Sequence, residues 1–388
     1  MDFTLTREQE MLRKMVRSFA ENEVAPYAEE LDRTGRFPKE TVVKMAKLGL
    51  LGLNVPKEYG GQGLPDICKV IVVSELAKAC GSTAEAVAVQ LLVNYIITRF
   101  GTEEQKQAFL PRACRGELGV FALSEPDAGS DPSAIRMTAE DEGDAFVLNG
   151  QKTFISNLSE DEGDFIVVIA VTDAEKRQHG GMTAFLIDRR TPGVSVGTLE
   201  DKLGIRAACV SELLLNDCRV PKSCVLGKIG DGFRVAMGGL DSGRIGIAAQ
   251  SCGLAEAALR EAVANAKTRV QFGSPIADKQ GIQFYLADMA TRVEAAYLMT
   301  YEAASLLSDG KPATKYSSMA KYYASETANA VAQLALQIHG GYGYVKGTPI
   351  ERIFRDARVL TLYEGTSEIQ KIVIAREVLK EAEGGPAR

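Results

Sequence analysis

Apolar residues recur every three or four positions through the first 118 residues of the chain. That spacing places them on one face of an α-helix. Gly60-Gly61 and Pro65 interrupt the pattern, as turn residues do. The positions that carry it are Met11, Leu12, Met15, Val16, Phe19, Val42, Val43, Ala46, Leu50, Ile71, Val72, Leu76 and Ala77. The pattern predicts several helices joined by short turns.

The helical period disappears between about Val120 and Lys228, where short apolar runs take its place. The run Phe165–Val171 is rich in β-branched residues, which favour strands. Shorter apolar runs follow at 183–187 and 212–215. Asn149-Gly150 has the form of a two-residue hairpin turn. This region is predicted to be a small antiparallel β-domain.

Helical spacing returns after about Gly230. Residues 313–338 are rich in Ala, Leu, Met and Lys, which are good helix formers. One predicted helix face consists of Ile282, Leu286, Met289, Val293 and Ala296. Long helices with short connections are typical of an antiparallel bundle.

The order of these regions predicts an α+β protein with three domains. We place an N-terminal α-helical domain at 1–118, a middle antiparallel β-domain at 119–229 and a C-terminal four-helix-bundle domain at 230–388. Strands and helices do not alternate, which is unlike a Rossmann protein. The glycines of Gly341–Gly347 come near the dinucleotide motif but miss its spacing and follow no predicted strand.

Composition narrows the possible chemistry. The 388 residues include two histidines, His179 and His339, and no tryptophan. A site with several histidine ligands cannot be built from one such chain, and no metal site is expected. The net charge of −6 and the scattered basic residues argue against a nucleic-acid partner. Catalysis would have to depend on carboxylates, backbone groups or a bound cofactor.

The cysteines indicate the compartment. Seven cysteines without a CxxC pair, in a chain of this length, are typical of a reducing environment. The polar, acidic start does not have the form of a signal peptide. No run reaches the roughly 18 apolar residues that a membrane helix requires. We therefore expect a cytoplasmic protein without a membrane partner.

The segment Phe121–Asp131 opens the β-region with small polar residues. Ser124, Gly129 and Ser130 can present backbone N–H groups and hydroxyls to a phosphate or a flat polar ligand. A turn-rich linker has the same composition, so both interpretations stay open from these residues alone.

The strand segment Gln151–Asn157 combines an aromatic ring with a hydroxyl. Phe154 and Ser156 are two positions apart and so point to the same face of a regular strand. Together they can cover a flat ring and form a hydrogen bond with it. A core phenylalanine beside a satisfied serine is the commoner case.

Two further segments lie near the end of the chain. Gln337–Gly343 has three glycines within four residues, which permit close backbone approach, although a helix C-cap explains one or two of them. Glu364 lies in a Tyr-Glu-Gly turn after apolar residues. A desolvated carboxylate there would have the raised pKa of a general base, whereas a solvated turn carboxylate would not. Thr366 or Ser367 is expected to cap the next helix.

Together, in this order and spacing, these four segments resemble the flavin-dependent acyl-CoA dehydrogenases over nearly the whole chain. The later part is most similar to the short-chain, butyryl-CoA type. The matching stretches there are Leu240–Gly246, Arg269–Gly273, Gln337–Gly343 and Tyr363–Gln370. The resemblance implies a β-domain flanked by two helical domains, FAD as cofactor, and a homotetramer built as a dimer of dimers in the bacterial cytoplasm.

The resemblance also assigns contacts to matching positions. Ser156 would bond near flavin N5, Phe154 would lie against the ring, and the adenosine half would be held partly across a subunit interface. The implied FAD contacts are Phe121, Leu123, Ser124, Gly129, Ser130, Phe154, Ser156, Arg269, Gln271, Phe272, Gln280, Gln337, Gly341, Thr366 and Glu368. The implied acyl-CoA contacts are Ser130, Asp241, Arg244, Tyr363 and Gly365.

Glu364 matches the catalytic base of the family. The family reaction removes the α-proton of an acyl-CoA while the β-hydrogen leaves as hydride to FAD, which gives a trans-2-enoyl-CoA. The electrons then pass to an electron-transferring flavoprotein. An enoyl-CoA reductase or an acyl-CoA oxidase with the same fold remains an alternative, because the same base serves both directions. A non-enzymatic binding protein is a third possibility, against which Glu364 and the glycine loops argue.

Three positions depart from the family pattern. Gly243 stands where some branches carry the base, which leaves Glu364 in that role. Phe154 replaces the tryptophan that many relatives have beside the flavin, so the contact with the electron acceptor is expected to differ. The chain reads Thr83–Glu85 where glutaryl-CoA dehydrogenases have an Arg-Ser pair, which disfavours a dicarboxylyl substrate.

The acyl pocket is expected along the predicted helix 87–97. Gln90, Leu91 and Asn94 would close it around a short, branched or alicyclic acyl group.

Overall fold

A computed structural model describes residues 4–382 of the chain. Helices come first, as predicted. Thr6 caps the first of them by accepting a hydrogen bond from the Gln9 N–H, and the Gln9 side chain accepts one from the Thr6 N–H in return. The N-terminal helices are α1 (Arg7–Phe19), α2 (Ala28–Thr34), α3 (Lys39–Lys47), α4 (Asp66–Ala79), α5 (Gly81–Phe100) and α6 (Glu103–Cys114).

A sheet follows, with strand order β6-β7-β3-β2-β4-β5-β8 and β1 beside β4. Its strands are β1 (Gly119–Ala122), β2 (Thr138–Asp141), β3 (Ala145–Ser156), β4 (Phe165–Val171), β5 (Met182–Asp188), β6 (Val194–Leu199), β7 (Val210–Pro221) and β8 (Val225–Leu226). Most neighbours are antiparallel, as predicted, but β4 pairs in parallel with β1 and, at one position, with β2. The long connection from β1 to β4, which contains β2 and β3, permits that parallel pairing.

The predicted hairpin at Asn149-Gly150 is wrong, because both residues lie inside β3. The pairing of β3 with β7 shifts register between Leu148 and Gly150, so the two residues form a bulge instead of a turn. A side chain at Gly150 would come within 2.9 Å of the Met137 Cα. The turn itself comes earlier, at Gly143, where φ is +89°.

The C-terminal part is helical and forms the predicted bundle. Its elements are α7 (Gly232–Thr268), the strands β9 (Val270–Gln271) and β10 (Ser274–Pro275), and the helices α8 (Gln280–Ser308), α9 (Thr314–His339), α10 (Pro349–Val359) and α11 (Ser367–Ala382). The helix α9 packs against α7, α8, α10 and α11. Because α7 also packs against α4 and α5, one hydrophobic core joins the two helical parts.

The seven cysteines are all free thiols. None of the helices within residues 4–382 is long and apolar enough to cross a membrane.

Candidate active site

Glu364 lies in the turn between α10 and α11, in a left-handed backbone conformation. Its φ is +53° and that of Gly365 is +90°. For a residue other than glycine this conformation costs about 1–3 kcal/mol and needs support from its surroundings. The Gln370 side chain donates to the carbonyl oxygens of Glu364 (3.0 Å) and Gly365 (2.9 Å), and the Lys321 Nζ donates to that of Gly365 (2.7 Å). These bonds fix the turn that carries the carboxylate.

The carboxylate of Glu364 points at the backbone of α7. A Cβ at Gly243 would lie 2.6 Å from Glu364 Oε2. This oxygen is buried and has no hydrogen-bond partner among residues 4–382. Burial raises the pKa of Glu364 to about 7, while the charges of Arg244 and Lys321 act to lower it. The carboxylate is therefore desolvated and poised to exchange a proton near neutral pH.

Asp241 and Arg244 form an ion pair on α7 close to Glu364. The Arg244 Nη1 lies 3.1 Å from Asp241 Oδ1, and Asp241 Oδ2 accepts a bond of 2.6 Å from Thr314 on α9. The Arg244 Nε is buried and unpaired within the described part of the chain. The pair thus joins two helices of the bundle and keeps one positive charge near Glu364.

Tyr363 anchors the turn that carries Glu364 from the other side. Its hydroxyl donates to Gln250 Oε1 at 2.5 Å, and the Gln250 Nε2 donates to the Gly81 carbonyl at 2.9 Å. The hydroxyl is therefore engaged within the protein and links the turn to α7 and to the start of α5.

The residues that follow Glu364 and Gly365 begin α11. The Thr366 hydroxyl accepts a bond of 3.3 Å from the Ile369 N–H, which makes Thr366 the predicted cap. Glu368 is exposed in the first turn of this helix.

Ser156 and Phe154 lie at the end of β3, where a second bulge interrupts the pairing with β7. Phe154 has a φ of +57° and a side chain that is 68 % exposed, so it is not a core residue. Ile155 between them is buried, which agrees with a shared, more open face for its neighbours. The Ser156 hydroxyl lies 2.7 Å from Glu85 Oε1, a partner that the sequence did not reveal.

The loop Phe121–Asp131 is held by a buried ion pair. The Lys152 Nζ donates to the Leu123 carbonyl (3.0 Å) and to Glu125 Oε1 (2.7 Å), and Glu125 also accepts the backbone N–H groups of Arg136 and Met137. Phe121, Leu123 and Ser124 are half-buried, whereas Gly129 and Ser130 are exposed. Sequence reasoning does not predict this pair; its one signal in the sequence is a lysine flanked by strand residues.

The second set of predicted contacts lies at the other end of the bundle. A cavity of about 550 Å³ is lined by Arg269, Gln271, His339, Gly340 and Gly341, among others. The Arg269 guanidinium lies 5.6 Å from the centre of the Tyr342 ring, and the two glycines face open space. The His339 Nδ1 is bonded to the Ala335 carbonyl. Phe272, Gln280 and Gln337 are exposed nearby.

The predicted contacts around Glu364 and those around the Arg269 cavity lie far apart within one chain. Lys321, in the first third of α9, bonds to the turn that carries Glu364, and His339 ends the same helix at the cavity. With a rise of 1.5 Å per residue, these two positions lie roughly 27 Å apart.

Comparison with known proteins matches all three regions. The N-terminal, middle and C-terminal domain models of acyl-CoA dehydrogenase cover residues 6–117, 120–218 and 230–379. The chain belongs to the acyl-CoA dehydrogenase family. It is therefore an oxidoreductase of the fold expected from the sequence.

Similar members of the acyl-CoA dehydrogenase family bear names for both reaction directions. The acryloyl-CoA reductase (NADH) of Anaerotignum propionicum is 50% identical over 383 residues, 98% of this chain and 96% of that protein. The short-chain specific acyl-CoA dehydrogenase of Clostridium acetobutylicum is 46% identical over 98% of this chain and 100% of its own. The butyryl-CoA dehydrogenase structure from Megasphaera elsdenii matches with a TM-score of 0.95 and 41% identity, over 98% of this chain and 100% of that one.

Acyl-CoA dehydrogenases are FAD-dependent flavoproteins. The residues of this chain fit such a group. Arg269 beside the open backbone of Gly340 and Gly341 suits a pyrophosphate. At the other site, no atom lies within 4 Å of a Cβ built on Gly129, so the loop leaves room for a ligand there.

The expected pocket residues on α5 have structural partners. Gln90 Oε1 accepts the Gly119 N–H at 2.7 Å, and the Gln90 Nε2 donates to Asn94 Oδ1 at 3.0 Å. The Asn94 Nδ2 donates to the Leu51 carbonyl at 2.7 Å. Their polar groups therefore hold α5 in place and are not free for a ligand.

Proposed function

We propose that this protein catalyses the FAD-dependent α,β-dehydrogenation of a short, branched or alicyclic acyl-CoA to the trans-2-enoyl-CoA. The observation that carries the proposal is the position of Glu364 Oε2, which is buried, has no hydrogen-bond partner in residues 4–382 and lies against Gly243.

The protein's own groups perform the proton transfer. Glu364 accepts the α-proton, and its backbone N–H polarises the thioester carbonyl so that negative charge can develop there. Arg244 and Lys321 supply positive charge that stabilises the ionised carboxylate. Bound FAD would supply the acceptor for the β-hydrogen, which leaves as hydride.

Two parts of the chain would hold FAD. Ser156, Phe154 and the loop that includes Ser124, Gly129 and Ser130 would contact the flavin end. The Arg269 cavity, with Gln271, Phe272, Gln280, Gln337 and Gly341, would hold the pyrophosphate and adenosine of FAD bound by a second copy, since it lies far from Glu364 of its own chain. Thr366 and Glu368 would add contacts beside the base. Ser130, Asp241, Arg244, Tyr363 and Gly365 would lie along the acyl-CoA.

The proposed assembly is a homotetramer built as a dimer of dimers, and the division of the cofactor site supports it by requiring at least a second copy. In the lining of the Arg269 cavity, Tyr342 is 68 % exposed and Val345 is 58 % exposed, and Phe272, next in sequence to the lining residue Gln271, is 95 % exposed. Large apolar groups clustered on a surface are typical of a contact between proteins.

An electron-transferring flavoprotein would collect the electrons. Phe154 supports this proposal, because its exposed ring lies at the end of β3 next to Ser156. The free thiols of all seven cysteines support a location in the reducing cytoplasm of a bacterial cell.

The reverse activity, reduction of an enoyl-CoA, is the second candidate. A relative that shares half of its aligned residues with this chain is named an acryloyl-CoA reductase. A carboxyl with a pKa of about 7 can also donate a proton at neutral pH.

The test is anaerobic bleaching of the FAD-loaded protein with butyryl-CoA, isobutyryl-CoA and cyclohexanoyl-CoA, with enoyl product measured by chromatography. Glu364→Gln should abolish bleaching, whereas Glu381→Gln, a surface carboxylate on α11, should not. Undiminished turnover by Glu364→Gln would overturn the assignment of the base. If saturated thioesters fail to bleach the wild type but enoyl thioesters reoxidise its reduced form, the reductase activity replaces the dehydrogenase. Addition of oxygen or of an electron-transferring flavoprotein then identifies the acceptor.

A further inference from the structure

Glu85 is a buried carboxylate that the reaction described above does not use. It is the fifth residue of α5, a helix packed against α7 and β1. Its side chain is 1 % exposed, and its neighbours Ala84, Ala86 and Val87 are buried and apolar. A carboxylate in such surroundings costs folding free energy unless its oxygens are paired.

Only one of its two oxygens is paired. Oε1 accepts the bond from Ser156, whereas Oε2 is buried with no hydrogen-bond partner anywhere in residues 4–382. Lys202 is the positive group that acts on Glu85, but its Nζ donates to the Glu200 carbonyl and forms no ion pair with Glu85. Burial raises the pKa of Glu85 to about 7. An unsatisfied buried acceptor in a native fold needs a physical reason, and a ligand that donates a hydrogen bond would supply one.

Glu85 and Glu364 are near enough to affect each other. The charge of Glu85 raises the pKa of both Glu364 and Tyr363. The Tyr363 turn is in turn tied to the start of α5 through Gln250 and Gly81. Glu85 thus lies close both to Ser156, which is assigned to the flavin end, and to the turn that carries the proposed base, and the proposed reaction requires the reacting carbons to lie between flavin and base. Acyl atoms beyond those carbons would come close to Glu85.

We propose that Glu85 selects acyl-CoA substrates with a hydrogen-bond donor, a hydroxyl or an ammonium group, on the acyl chain beyond the reacting carbons. This inference rests on the proposed function and names the substrate class of the same site. The donor would fill the free lone pairs of Oε2. An acyl chain that ends in a carboxylate would be rejected, because two like charges would share one desolvated space.

The test measures binding and not turnover. Four unreactive CoA thioethers of matched length serve as probes: S-butyl-CoA, S-(4-hydroxybutyl)-CoA, S-(4-aminobutyl)-CoA and S-(3-carboxypropyl)-CoA. Calorimetry with the FAD-loaded protein should show at least tenfold tighter binding of the hydroxyl and amino probes than of S-butyl-CoA. The carboxylate probe should bind at least tenfold more weakly than S-butyl-CoA.

Two variants assign that ranking to Glu85. Glu85→Val should remove the ranking, and Glu85→Gln should keep the preference for the hydroxyl while losing that for the amine. The control is Asp356→Asn: this buried carboxyl lies 3.1 Å from a Cβ built on Gly81, at the start of the same helix, and should leave the ranking unchanged.

A wild-type protein that binds S-butyl-CoA as well as the donor probes overturns the proposal, even if Glu85→Val does not fold. The proposal is also overturned if the full ranking of the probes is unchanged in both Glu85→Gln and Glu85→Val. Failure of the proposed function looks different: butyryl-CoA would not bleach the flavin, whatever the order of the thioether affinities.

Discussion

A methyl group on Gly243 would come within 2.6 Å of Glu364 Oε2, so the absence of a side chain at this position of α7 makes room for the carboxylate of the base turn. Gly243 is thus a steric requirement for the position of Glu364.

Gly243→Ala should lower activity while it raises stability. Displacement of the base by about 1 Å is expected to reduce kcat by up to roughly 100-fold. Alanine in a helix interior is favoured over glycine by about 0.5–1 kcal/mol, so the free energy of unfolding should rise by about that amount. Gly246→Ala is the control, since its Cβ would meet Ala88 only at 3.4 Å. Equal kcat values for the two variants would show that Gly243 does not position the base.

The pH dependence of dehydrogenation should follow Glu364. The deprotonated form accepts the α-proton, so the rate should rise with pH through about 7, the pKa that burial gives this group. Lys321→Met removes a charge that lowers this pKa and should move the midpoint upward, on the order of one pH unit. Lys315→Met is the matched control, because Lys315 also lies on α9 but pairs with Glu381 at 2.6 Å. A midpoint that both variants share with the wild type would contradict the assignment.

Stability should depend on pH through the same group. Burial raises the pKa of Glu364 from 4.5 to about 7, so between these values the folded protein holds a proton that the unfolded chain has lost. The free energy of unfolding therefore falls as the pH rises through this interval, by up to about 3 kcal/mol for one such group. Glu364→Gln lacks this titration, so it should gain stability relative to the wild type between pH 5 and pH 8. Urea unfolding at both pH values measures the difference, and a constant difference would refute the prediction.

The buried pair of Lys152 and Glu125 should matter for both stability and cofactor retention. Lys152→Met leaves Glu125 buried without its cation and is expected to cost about 3–5 kcal/mol. Adding Glu125→Gln removes the unpaired charge and should restore part of that loss. Lys222→Met breaks the exposed pair with Asp141 and should cost less than about 1 kcal/mol. Chemical unfolding measures these free energies. FAD titration should show weaker binding for Lys152→Met, which releases the loop after Leu123, and unchanged binding for Lys222→Met.

Phe272→Glu tests the assembly. A charge on this exposed ring should disrupt a contact between copies, so sedimentation should show smaller particles with unchanged helical content by circular dichroism. Met11→Glu, at an exposed position on α1, should leave the particle size as in the wild type. A wild-type protein that sediments as a monomer would exclude the proposed homotetramer.

The sequence predicted the elements better than the contacts between them. The faces of α1 and α8 and the strand Phe165–Val171 follow from local periodicity, which a single chain displays directly. The hairpin prediction at Asn149-Gly150 is wrong because a bulge and a hairpin turn favour the same residue types. Which of the two forms depends on β7 and Met137, which lie elsewhere in the chain.

The candidate site shows the same limit. Glu364 was identified from its turn and from the family resemblance. Its setting was not, because Gly243, Lys321 and Glu85 reach the site from distant segments. The sequence distinguishes Glu85 only as part of the Thr83–Glu85 stretch, because its burial and its bond to Ser156 depend on how α5 packs in the fold.

The helix α9 contributes to two sites. Lys321 holds the turn of the proposed base in its own chain by a hydrogen bond, and the glycines after His339 line the cavity that we propose binds a neighbour's cofactor. Each copy would then complete the nucleotide site of another. Dilution below the concentration at which the copies separate should therefore release FAD and leave a colourless, folded monomer whose base is intact. As a consequence, the amount of active enzyme should vary more steeply than linearly with protein concentration.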